Sequence, residues 1–140
     1  AFQPTGSLGT ARALHTATLL ADGRVLVTGG FVAVDGSTTA SAEVYDPSTG
    51  HFGPAGAMQV GRVVHSAILL TDGRVLVLGG LQASTATDIF DPTDDRWHPG
   101  PTLDPAWDAP TVTLLRDGRV LVFGGENASG FPVPTVILYE

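Results

Sequence analysis

His15 and His65 stand 50 residues apart, each three residues after an arginine, Arg12 and Arg62. Two imidazoles brought together in the fold could hold a metal ion, but no third histidine occupies the matching place and no zinc-ligand spacing occurs anywhere in the chain. The competing reading is hydrogen bonding at the start of a strand, and no metal or cofactor is expected. Arg12 and Arg62 match Trp107 in a third segment. Guanidinium donors beside an aromatic platform would suit an acidic or carbohydrate ligand. The alternative is that the arginines satisfy carbonyls or pair with acids while Trp107 covers an apolar seam.

The carboxylates give no hydrolase pair. Asp22, Asp72 and Asp117 recur in one context, Asp-Gly-Arg, which fits a turn better than a unique acid and base. Asp35, Asp104 and Asp108 lie outside that context and are candidate loop ligands, yet none has companions at calcium-loop spacing. Tyr45 and Tyr139 share their position with Phe90, so the position requires an aromatic body rather than a hydroxyl. No residue set is therefore assigned a catalytic role.

These residues are positioned by a repeat. "DGRVLVTGG" at 22–30 returns as "DGRVLVLGG" at 72–80 and "DGRVLVFGG" at 117–125, so the double glycines are spaced by 50 and 45 residues. Periods of that size belong to propeller blades. Upstream stand "HTATLLADG", "HSAILLTDG" and "PTVTLLRDG"; downstream stand "SAEVYDPSTG", "ATDIFDPTDD" and "TVILYE". Aromatic-x-proline then opens a fourth element at Phe52 and Trp97, and also at Phe2 near the start.

Each unit reads as four strands. A β-branched run from Thr16 meets a hairpin turn at Asp22-Gly23, and Val25–Thr28 returns with both faces apolar, as a strand covered on two sides would. Gly29 and Gly30 fit a positive φ or a close backbone approach. A third strand ends at Asp46-Pro47, and proline confines a short fourth strand to the edge. The units run approximately 9–58, 59–103 and 104–140 within a single domain of 140 residues.

Gly and Pro make up 28 of 140 residues and hydrophobic residues 43%, values that suit a folded all-β chain of short elements. All seven basic residues are arginine, and three of them, Arg24, Arg74 and Arg119, sit in the repeated turn, where solvation accounts for them. A formal charge of -7 removes the electrostatic basis for binding nucleic acid or anionic membrane. No apolar run reaches membrane-spanning length, and no membrane insertion is expected. With no cysteine, the chain would persist in cytosol or outside the cell alike, and secretion or a bacterial periplasm remains open. A start at Ala1 reads as a mature, processed or excised chain.

Histidine before the first strand, diglycine after the second, apolar-aromatic third strand with Asp-Pro, and an aromatic opening the fourth together resemble the kelch repeat, in particular the bacterial branch similar to the galactose oxidase propeller. The resemblance implies a β-propeller with binding loops at one end of a central channel. The cysteine-modified tyrosine of that oxidase family cannot form without cysteine, so copper oxidase activity is not expected. Full kelch propellers have six or seven blades, and this chain has material for three. The expectation is thus a segment of three four-stranded blades forming half of a six-bladed ring.

Loops 31–39, 81–85 and 126–134 differ among the units and are the natural specificity elements of a non-catalytic module binding protein or glycan. The alternative is a fragment of a propeller enzyme lacking the rest of its active site. Residues 1–8 read as an outer strand completing the terminal blade of another chain, with Phe2 and Pro4 clasping Val136, Leu138 and Tyr139. A homodimer closes such a ring symmetrically; a complementary propeller fragment is the alternative partner.

Overall fold

The computed structural model describes residues 1–33, 35–81 and 85–140. Eleven strands form three antiparallel sheets, with no helix among the described residues. The first sheet runs β1 (Thr16–Leu19), β2 (Val25–Thr28), β3 (Ser41–Asp46) and β4 (His51–Ala57); the second runs β5 (Ser66–Leu69), β6 (Val75–Leu78), β7 (Asp88–Asp91) and β8 (Arg96–Pro99). The third holds β9 (Thr111–Leu114), β10 (Val120–Phe123) and β11 (Val136–Tyr139), with β10 central. Each sheet is an up-and-down meander, so every strand pairs with its neighbour in sequence.

The register repeats. Tyr45 faces Phe52 across β3 and β4, and Phe90 faces Trp97 across β7 and β8, with ring centroids 4.9 and 5.2 Å apart. Eleven strands are present where the repeat predicts twelve, because residues 1–8 form no strand within this chain. The fourth strand is also longer than expected in the first sheet: β4 spans seven residues and tolerates Pro54 because it lies at an edge beside a bulge opposite Ser41 and Glu43.

The sheets stack face to face, joined by two apolar cores. Between the first and second, Leu26, Ala42, Val44 and Ala55 meet Val75, Val77 and Phe90; between the second and third, Leu76, Leu78 and Ile89 meet Trp107, Val120 and Val122. Continuously apolar β6 is buried at all four residues, which is why neither of its faces carries a polar side chain. The Asp-Gly-Arg turns close the hairpins: Asp22, Asp72 and Asp117 each accept from the N–H of the arginine two residues on.

Candidate functional site

The segments leading into β1 and β5 carry most of the polar residues singled out above. Arg62 lies 2% exposed. Its Nη1 donates to Gly79 O at 2.7 Å, its Nη2 to Ala86 O and to Asp88 Oδ2 at 3.0 Å. Arg12 repeats the pattern one unit earlier, donating to Gly29 O and Ser41 O at 2.9 Å each and to Glu43 Oε1 at 2.8 Å. One guanidinium thus joins the end of the second strand to the start of the third, using the rigid planar fork that lysine lacks.

The acids also fix the backbone of the lead-in. Glu43 accepts from Gly9 N and Thr10 N, and Asp88 accepts from Gln59 N. Burial opposes ionisation of Glu43, but the two backbone donors and Arg12 outweigh it, so its carboxyl lies below the ordinary glutamate value. Arg12 and Arg62 therefore direct their donors to their own sheets. Neither acid was singled out in the sequence.

His65 joins adjacent sheets. Its Nε2 lies 3.1 Å from Thr16 Oγ1 and 3.0 Å from Thr28 Oγ1, the paired threonines of β1 and β2. Burial, aided by the Arg62 charge and His15, lowers its pKa to about 4, so the imidazole is neutral at pH 7. The diglycine makes this contact possible: at Gly29, with φ 65°, a Cβ would stand 2.6 Å from Arg62 O and 2.7 Å from His65 Cε1. Gly30 N also donates to Arg62 O. His15 is half-buried and has no earlier sheet within the chain to meet. The threonine hydroxyls thus engage His65 Nε2, while the Nδ1 atoms of His65 and His15 are buried without a hydrogen-bond partner.

The third unit replaces both devices as sets. Trp107, 1% exposed, stands for the arginine, and Ile137 stands for the acid, the two joining one apolar cluster. Pro110 stands for the histidine, and its neighbours are Gly79 and Ser66, whose hydroxyl donates to Pro110 O. The sequence signal for Glu43 and Asp88 was this paired replacement: the column reads Glu, Asp, Ile exactly where the lead-in column reads Arg, Arg, Trp.

Residues 12–59 match the family model described as the kelch motif. That segment carries the kelch motif. No curated protein matches the chain. The kelch match spans the lead-in arginine, the diglycine, all four strands of the first sheet and the start of the next lead-in. The second sheet repeats the same order and register, and the third repeats its first three strands, so the all-β architecture is consistent with a kelch-type propeller segment.

Asp35 is exposed and accepts from Ser37 N and Oγ, a local turn that lowers its pKa. Loop 31–39 begins by bridging Ala13 through Phe31. Of loop 81–85, residues 82–84 lie outside the described residues. Loop 126–134 bridges Asp108 through Glu126 and exposes Phe131. Arg24 does more than solvate a turn: it pairs with Asp22 and reaches the next sheet, donating to Asp95 Oδ1 at 3.0 Å and Pro92 O at 3.1 Å. Asp91, Asp94 and His98 place potential ligand atoms within 4.8 Å of one another on the exposed β7–β8 turn, the one such cluster among the described residues.

Of the clasp residues, Phe2 and Pro4 are exposed, Val136 is 55% and Leu138 38% exposed, and Tyr139 is half-buried. The structure does not bring Phe2 to Tyr139 within one chain. Thr5 instead meets Tyr45 OH at 2.8 Å, and Gly6 N donates to Gly50 O at 2.9 Å.

Proposed function

We propose that this chain is a non-catalytic propeller building block that assembles through its two end sheets and presents its loops to a ligand. The observation that carries the reading is the mismatch between interior and end faces. On the face turned toward the following sheet, Leu26 and Leu76 are 0% and 2% exposed and Val44 and Ile89 9% and 6%, whereas the equivalent Leu138 is 38% exposed. On the opposite face Phe90 is 0% exposed, while the equivalent Tyr45 of the first sheet is only half-buried and Leu19 is 64% exposed.

Gly124 supports the same reading. Gly29 and Gly79 approach the following unit closely, but nothing lies within 4 Å of a Cβ on Gly124. Exposed apolar faces of this kind associate in water. A second copy offers matching faces at both ends and closes the assembly by symmetry. Sedimentation equilibrium tests it: about 29 kDa, twice the 14.4 kDa chain, is expected, and a stable 14.4 kDa species overturns it.

The ligand-presenting part rests on an open hollow of about 390 Å³ between Ala11–Ala13 and Phe31–Ala33, at the sheet end where the lead-in segments and variable loops meet. Its apolar wall suits a protein or glycan partner. Phe31→Asp is expected to abolish capture of that partner while leaving the assembly mass unchanged.

A further inference from the structure

We infer that the loop end of the sheets docks a basic protein segment, with an arginine or lysine of the partner seated at Asp108 and Glu126 beside Phe131 and an apolar side chain in the hollow at Phe31. The inference rests on the ligand-presenting reading above and names the chemistry of the partner.

Charge is divided unevenly between the two ends of the sheets. Arg24, Arg74, Arg96, Arg116 and Arg119 all stand in or beside the hairpin turns that join first to second or third to fourth strands. The opposite end, where the lead-in segments meet the loops between second and third strands, carries Asp35, Asp104, Asp108 and Glu126. Its cations among the described residues, Arg12 and Arg62, are buried against Glu43 and Asp88. An acidic ligand finds no accessible guanidinium there, whereas a basic one meets complementary carboxylates.

The third unit places acids where the other units are apolar. The residue after the lead-in arginine or tryptophan pairs through the backbone with the residue after the diglycine: Ala13 with Phe31, Val63 with Leu81, and Asp108 with Glu126. Like charges set directly opposite each other across antiparallel chains oppose the pairing. Both members change together, so two apolar residues that would serve the fold give way to two acids that work against it. A cation seated at the pair removes the repulsion.

Phe131 completes the seat. Glu126 bridges Pro132 on its other side, and the neighbouring Phe131 is 66% exposed. Asn127 fixes the loop by accepting from Ser129 N and Phe131 N. An aromatic face beside carboxylates suits a guanidinium or an ammonium. Ser37 holds the matching place in the first unit, just before Thr38, which bridges Phe31. It is exposed although the second sheet follows it, so exposure at this position goes with the loop. The hollow of about 390 Å³ beside Phe31 lies at the same end and receives the apolar side chain.

Panning a random dodecapeptide library against the full chain tests the inference. Captured peptides are expected to carry net positive charge, with arginine or lysine near an aliphatic or aromatic residue, and to bind more weakly as salt rises. Asp108→Val with Glu126→Leu, which copies Val63 and Leu81, should weaken their binding about 10-fold by fluorescence anisotropy. That double variant should melt no lower than wild type, since the repulsion is gone; a pair with a merely structural role would show the reverse. Phe131→Ser, which copies Ser37, should weaken binding by a smaller factor. Capture of neutral or acidic peptides, a preference for neutral oligosaccharides on a glycan array, or no capture at all would overturn the basic partner. If such neutral or acidic ligands are lost in Phe31→Asp, the ligand-presenting reading stands without it. Binding that neither the double variant nor Phe31→Asp alters would overturn both.

Discussion

Arg62 shows how a residue type that suggests a ligand can belong to the scaffold. Its guanidinium is buried against Asp88, with a further two carbonyls satisfied, so removing the acid strands a charge away from water. Asp88→Ala is expected to cost about 3–5 kcal/mol in urea unfolding. Arg62→Trp combined with Asp88→Ile, which copies the third unit, should recover most of it; a double-mutant cycle measures the coupling. His65 provides the pH test. Its folded pKa of about 4 lies below the ordinary 6.5, so the unfolded chain takes up the proton first as pH falls. The stabilisation is complete above 6.5 and declines toward pH 4, by about 3 kcal/mol. Glu43 and the turn aspartates lose their contributions at lower pH, since their carboxyls are depressed below the usual values. His65→Gln should flatten the slope between pH 6.5 and 4 in thermal melts. The residue types at 12, 62 and 65 were legible, but their partners come from strands tens of residues away. Reading one repeat column at a time misses a pair that changes together.

The strands were the most legible elements because their causes are local. Asp-Gly fixes each hairpin turn, continuous apolar residues mark the doubly covered second strand, and diglycine ends it. The first three strands of every unit follow from those signals. The fourth is less local: β4 extends through Pro54 to Ala57 by bulging against β3, which composition does not announce. Glycine substitutions separate backbone conformation from packing. Gly79 and Gly124 have φ 72° and 67°, but a Cβ on Gly79 would meet Pro110 Cδ at 2.5 Å while one on Gly124 meets nothing. Gly124→Ala should cost the single chain about 1–2 kcal/mol from its left-handed conformation. Gly79→Ala should cost clearly more, as measured by thermal denaturation, and Gly124→Ala should additionally weaken dimerisation.

At the scale of the whole molecule, the stacking of sheets follows from the repeat, whereas what covers the outer faces of the first and third sheets depends on surfaces the sequence pattern leaves unassigned. Arg24 bridges the first sheet to the turn of the second, and Arg119 holds the corresponding place at the open end, paired with Asp117 of its own turn. In the assembled state Arg119 should reach the 47–50 turn of a second copy. Arg119→Ala is then expected to raise the dimer dissociation constant modestly, as measured by sedimentation, with little change in its salt dependence because the 47–50 turn carries no carboxylate. The paired exchange of Arg and acid for Trp107 and Ile137 also bears on how such a chain can change its length. The nearly identical Asp-Gly-Arg-Val-Leu-Val stretches are where recombination between repeats would align, yet each stretch lies between the two members of the pair. A crossover between either of the first two units and the third would join Arg12 or Arg62 upstream to Ile137 downstream, leaving a desolvated guanidinium without its carboxylate, whereas one between the first two units keeps an arginine with an acid. Exchange through the best-matched sequence is therefore opposed by the interior where it involves the third unit, and is tolerated between the first two.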